Sequence, residues 1–319
     1  MPDFCRETAV ENVIDKAQQL HSPPEVAQTL LKLTRDDQFD MRDVVDCIQR
    51  DPAMSAKMLQ VVNSSRYGLR VPVTNLHQAV ALLGHRSVRL IAMTFSIVEA
   101  FTSGPAKAIY NDFWRSALAT AIGASRLSER LSDVDRHDVY TAGLLVDVGS
   151  LVLAQAEGDA YLTLYREHRG DALPDAERQR YGFDHALVAA RLLERWEFPE
   201  GTLEAIRSHH DAVITDSAAL VTRGGVLLDG ALWQKNPQAV QMCRSWLREQ
   251  FELGTDEFTD LALRCREEVM AEMEIYGVHS EQPIDCQALI AQARQQYIDA
   301  SLNTAIDLDS FESLMRDTV

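Results

Sequence analysis

The 319-residue chain has no CxxC pair, no excess of basic charge and no uncharged apolar run of about 20 residues. Each absence excludes a class. The five cysteines (Cys5, Cys47, Cys243, Cys265, Cys286) are odd in number and far apart. A disulfide framework is therefore excluded, and reduced, buried thiols in a cytosol are expected. No basic start leads into an apolar stretch, so neither a signal peptide nor a bilayer span is expected. Lys and Arg number 31 against 48 Asp and Glu, a net charge of −17. A phosphate backbone needs gathered cations, which argues against nucleic acid as the partner. What is present is ordinary globular material, 46% hydrophobic and 25% charged, enough for a substantial core. At roughly 150 residues per domain, the length predicts about two domains or one long architecture.

Helical periodicity runs from end to end, and no stretch alternates convincingly with period two. After Pro23-Pro24, the residues Val26, Leu30, Leu31 and Leu33 make one apolar stripe. Asp51-Pro52 is a helix start, an N-cap followed by proline at the first helical position. Asn75 with Gln78 reads as a capping box, and Gly84 closes that short helix. Ser87–Phe101 is almost wholly apolar, as in a helix buried on most sides. Further helices fit Ile109–Leu131, Val139–Ala156, His185–Trp196, Gly201–His209, Ala218–Leu228, Phe258–Ile275 and Ile284–Tyr297. The fold class is all-α. From Phe251 to the end stand 15 acidic and 4 basic side chains, so −11 of the total charge sits there. This stretch is either a solvated helical extension or an acidic surface for a basic partner.

Phosphate-cradling and nucleophile motifs are missing: no GxxxxGK[ST], no GxGxxG, no GxSxG elbow and no HExxH. Nine histidines remain, several beside carboxylates, and a helical cage of His and Asp is one way to hold a metal that activates water. His137-Asp138 is expected to be a decoy, with Asp138 as an N-cap or first-turn acid before an apolar helix. Asp147 stands alone in the apolar run Ala142–Leu153, where a carboxylate must be partnered, solvated or protonated. It either caps a helix restarting after Gly149 or faces inward as a metal ligand. Val146, directly before it, cannot ligate. His209-His210-Asp211 ends a helix, where adjacent rings point about 100° apart, so that one can face inward while the other is solvated. His185 follows Asp184 at a helix start.

These segments together resemble the HDOD domain, the degenerate, output-type relative of HD-domain metal phosphohydrolases. The first half contributes Ser22-Pro23-Pro24, Val45–Pro52, Leu59–Gly68 and Ala79–Gly84. The second adds Phe113-Trp114-Arg115-Ser116, Ala142-Gly143-Leu144-Leu145, Tyr181-Gly182-Phe183-Asp184-His185, Leu193–Pro199 and Ile206–His210. The resemblance implies two helical lobes, 19–103 and 106–228, within an HDOD domain of 19–228. A lead-in of 1–18 precedes it and an acidic helical extension of 229–319 follows. It also implies an eroded metal site. The helical histidine of the catalytic relatives is Ser116 here, and the histidine of the His-Asp pair is Val146. The closing aspartate would fall around Arg223-Gly224-Gly225, where no acid stands. Asp147, His185, His209 and His210 survive as vestigial candidates. The function implied is a non-enzymatic signalling module that binds protein partners, without cofactor, catalytic metal, nucleic acid or membrane. Two alternatives stay open: a phosphohydrolase with an altered site, and a nucleotide or small-molecule sensor using the vestigial pocket. Neither a receiver pattern nor a diguanylate-cyclase motif accompanies the domain, so input and output are expected to pass through its surfaces.

Overall fold

The expected caps become helix ends in a computed structural model that describes residues 3–17, 40–63, 71–99, 101–168, 170–233, 236–275 and a few isolated positions. The described residues form helices and no strand: α1 (Asp3–Ala17), α2 (Met41–Gln49), α3 (Pro52–Val62), α4 (Leu76–Glu99), α5 (Tyr110–Ser128), α6 (Arg136–Leu145) and α7 (Val148–Glu157), followed by α8 (Asp159–Glu167), α9 (Ala172–Tyr181), α10 (His185–Arg195), α11 (Glu200–Arg207), α12 (Ser217–Trp233), α13 (Pro237–Phe251) and α14 (Thr255–Ile275). The Asp51 carboxylate accepts from Met54 N at 3.0 Å and starts α3. Asn75 accepts from Gln78 N at 2.9 Å. Gly84, at φ +76°, bends α4 after its short first part, a conformation that costs glycine little. The Val26–Leu31 stripe, Ser22-Pro23-Pro24, residues 64–68 and most of Ile284–Tyr297 lie outside the described residues.

One continuous apolar core joins α2–α4 to the second half of the molecule. Its centre is the crossing of α12 over α5, where side chains are small enough for backbones to meet. A Cβ on Gly225 would come 2.3 Å from Thr120 O, and on α6, against the same helix α5, a Cβ on Gly143 would come 2.5 Å from Ala121 Cα. The 22 residues Arg136–Glu157 are long and apolar enough to cross a membrane, but 89% of their apolar window is buried. They are also two helices, α6 and α7, with a turn at Val146-Asp147, where the sequence predicts one helix. α12 runs on through Leu228 to Trp233, so the boundary expected after Leu228 falls inside a helix. α1 packs on α7 and α10, with Arg191 on Glu7 at 2.6 Å and Arg195 on Glu11 and Asp15.

α14 lies against α5, and its acids are not all solvated. Glu268 binds Arg126, Glu257 lies 3.1 Å from Arg130, and buried Glu272 accepts from Tyr140 OH at 2.6 Å. Asp256, Glu257 and Asp260 are exposed. Neutralising these three together is expected to leave helicity and cooperative unfolding intact, because exposed pairs contribute little. Circular dichroism through a thermal melt checks this; a broadened transition would show that they clamp α14 to the body. Cys47, Cys243 and Cys265 are buried, and burial pushes the Cys265 thiol up to about 12.

Candidate functional site

The turn between α6 and α7 aims Asp147. Upstream, Asp135 caps α6 by accepting from His137 N (2.7 Å) and Asp138 N (3.3 Å). Asp138 is thus the expected first-turn acid, and the His137-Asp138 pair serves the helix end. Asp147 occupies the N-cap position of α7, yet its side chain caps nothing. It turns inward to His185 Nε2 at 3.3 Å and His209 Nε2 at 3.6 Å. Gly149 permits this approach: a Cβ there would stand 2.0 Å from His185 O. The first turns of α7 and α10 therefore touch backbone to backbone, which places the Asp147 carboxylate beside the His185 ring.

His185 starts α10, which Asp184 caps through Leu187 N at 3.1 Å. Its ring is fixed from behind by Glu177 of α9, a fully buried carboxylate 2.7 Å from Nδ1. Glu177 also accepts from His185 N at 2.8 Å and Tyr161 OH at 2.6 Å. The histidine pair departs from the expected splay. α11 ends at Arg207, and the turn beyond it directs both rings into the site, centroids 3.8 Å apart. His209 donates from Nδ1 to Ile206 O at 2.6 Å, and His210 Nε2 lies 3.0 Å from His185 Nε2. The four vestigial candidates Asp147, His185, His209 and His210 thus converge, one ligand atom from each, all within 4.8 Å of one another.

Sequence reasoning missed three participants. No acid stands at Arg223-Gly224-Gly225, but Asp229, between one and two turns further along α12, reaches the site. There it accepts from Ser116 Oγ at 2.9 Å and pairs with Arg115 at 2.5 Å. Arg115 in turn lies 5.6 Å from the Trp233 ring, a cation–π distance. Ser116 also lies 3.3 Å from Asp147, whereas Val146 is buried in apolar surroundings. The one acid within the apolar helix α12 was the available signal for Asp229. Glu177 and Arg115 gave none, because only folding brings α9 and α5 to this point.

Charge is concentrated here. Burial opposes ionisation of Asp147, but His185 and His209 outweigh it and hold its carboxyl well below the usual range. Burial likewise opposes protonation of His185, and Glu177 with Asp147 overcomes it, raising the ring well above its ordinary value. His210 goes the other way, pushed well down by burial and by its histidine neighbours. A cleft of about 100 Å³ opens beside the cluster, lined by Ser116, Asp147, Tyr165, His185, His210 and Asp229 among others. Three imidazoles and a carboxylate are a donor set that fits a single metal ion. Buried His209 Nε2, 3.6 Å from the Asp147 carboxylate and with no closer hydrogen-bond partner among the described residues, fits one as well.

A family model of the HDOD domain matches residues 20–212, more than half of the chain. The chain belongs to the HDOD family. An uncharacterized protein of Treponema pallidum (strain Nichols) is 26% identical to this HDOD chain over 207 residues, 61% of it. The chain spans only 39% of that relative's length. An HDOD domain protein of unknown function from Geobacter sulfurreducens superposes with a TM-score of 0.56 at 21% identity, covering 93% of this chain and 96% of its own. A provisionally assigned metal-dependent phosphohydrolase from Shewanella amazonensis SB2B gives 0.60 at 20% identity, covering 83% and 99%. A provisionally assigned signal-transduction protein from Marinobacter aquaeolei VT8 gives 0.61 at 22%, covering 85% and 66%. These likenesses establish the all-α HDOD fold.

Proposed function

We propose that this HDOD chain is a non-hydrolytic regulatory module of signal transduction, acting through contacts with other proteins. The observation that carries this reading is Arg115. Its guanidinium is bound to Asp229, with Trp233 alongside. A fixed cation thereby stands beside the carboxylate that a second metal ion would need. Ser116 and Val146, at the positions where the catalytic HD-domain relatives carry histidines, supply no strong ligand, which supports a reading without hydrolysis. Metal-assisted hydrolysis further needs a position left open for water. Here the surviving donors already face one another.

The test is hydrolysis of phosphomonoesters and cyclic dinucleotides with added manganese, iron or zinc, comparing the native chain with Asp147→Ala. The expected result is no turnover from either protein. Turnover that disappears with Asp147 would establish a hydrolase and defeat the regulatory reading.

A further inference from the structure

A second cavity, of about 130 Å³, opens where α6, α11 and α12 begin, at the end of α6 away from Asp147. Part of its wall is apolar, with Val139 and Ala205 buried in it. Asp133, Asp135 and Asp138 line it as well. The partners of the first two acids are neutral. Ser217 Oγ donates to Asp133 Oδ2 at 2.7 Å, and the N–H groups of His137 and Asp138 donate to Asp135 Oδ1. Each acid is thus engaged through one oxygen, and no described Lys or Arg pairs with either. A buried hydroxyl adds a second, independent sign of a ligand. Thr202 lines the cavity and is 4% exposed, and its Oγ1 has no hydrogen-bond partner among the described residues. Native interiors seldom leave such a group standing.

We propose that this cavity binds a free, short-chain aliphatic amine, its stem along the apolar wall and its ammonium group on the carboxylates and the Thr202 hydroxyl. A bare metal ion does not match the lining. Its donors must converge, and among the described residues the group that converges in this way is the Asp147 cluster. Carboxylates spread around an apolar recess suit a larger cation, one with several N–H donors and a stem that gains from leaving water. A concave, partly apolar site with a few polar groups is also the ordinary form of a small-molecule pocket. A lysine side chain of a partner protein carries the same chemistry. The exposed lining residues Asp133, Asp135 and Gly201, however, offer such a partner no apolar face for an interface core. The site is separate from the histidine cluster and does not rest on the non-hydrolytic reading. α6 and α11 both start at the cavity, and they end just before Asp147 and His209 respectively. An amine would thereby be an input at the far end of the two helices that carry the cluster.

The experiment titrates the full chain with diaminobutane by calorimetry at low ionic strength, with thermal melts in parallel. One amine per chain and a raised melting temperature are expected. Tetramethylammonium, which has the charge but no N–H, should not bind. Gly201→Leu should abolish binding. A Cβ at Gly201 meets nothing within 4 Å, so the fold accepts a side chain that fills the recess. Asp133→Asn combined with Asp135→Asn keeps the α6 cap, since Asn caps as well as Asp, and should weaken binding by about tenfold. Thr202→Val should also weaken binding, yet leave the amine-free melting temperature unchanged or higher, because the hydroxyl has no hydrogen bond to lose. The proposal is overturned by absence of saturable binding at millimolar diaminobutane, by equal binding of tetramethylammonium, or by binding that survives Gly201→Leu. A lysine-bearing peptide that binds more tightly than the free amine, and is lost with Gly201→Leu, would make the cavity a docking point for a partner and overturns it equally. None of these failures touches the non-hydrolytic reading, which falls only to Asp147-dependent turnover.

Discussion

Replacing Trp196 with alanine is expected to lower the free energy of unfolding by about 3–5 kcal/mol. The ring is 5% exposed at the end of α10 and belongs to the continuous apolar core. Behind it the chain reverses: Trp196 N and Phe198 N both donate to Leu193 O, at 3.0 and 3.1 Å. The backbone there is held, so the space left by the indole cannot close by a local shift, and the cavity adds to the lost transfer energy. Urea denaturation monitored at 222 nm checks this. An unchanged midpoint would mean that the indole contributes no packing and that α10 presents a different face to the core.

Glu177→Ala is expected to cost a similar amount, about 3–5 kcal/mol, for an electrostatic reason. It removes the partner of the His185 ring and backbone N–H and of the Tyr161 hydroxyl at one stroke. All three groups are buried, so each is left without its charged partner. The pH dependence separates this cause from simple cavity formation. Glu177 and Asp147 raise His185 above its ordinary value of 6.5 despite burial. The stability from that proton is fully present below about pH 6.5 and is lost as pH rises through the raised folded value. In chelator, the gap between native chain and variant should therefore be widest in acid and narrow toward alkaline pH. A gap that does not vary with pH would assign the whole effect to lost packing.

The architecture was legible because its determinants are local. Apolar spacing, the Asp51-Pro52 start, the Asn75–Gln78 cap and the position of Gly84 each act within a turn or two of chain, where one sequence carries the full instruction. The HDOD membership was legible for a related reason: the blocks occur in order along the chain. The same local reading correctly set aside His137-Asp138, since a cap needs only its own helix. It joined α6 and α7 into one helix because both are apolar, and so it left open whether Asp147 caps or faces inward. It also splayed His209 and His210 by applying helix geometry two and three residues beyond Arg207, where the helix ends.

By itself, then, the sequence determined an all-α HDOD chain and the four side chains that survive at ligand positions. Only the tertiary structure decided that these four meet, because Asp147, His185 and His209-His210 lie on segments up to 63 residues apart. It alone placed Glu177 behind His185 and Arg115 against Asp229, pairings that no periodicity encodes. It also turned part of the acidic extension into packing, with Glu272 buried on Tyr140 and Glu268 on Arg126. The physical reason is the same in each case. Helix formation is settled among neighbours in the chain, whereas the charge and hydrogen-bond state of a buried group is settled by whatever other segments bring within about 4 Å.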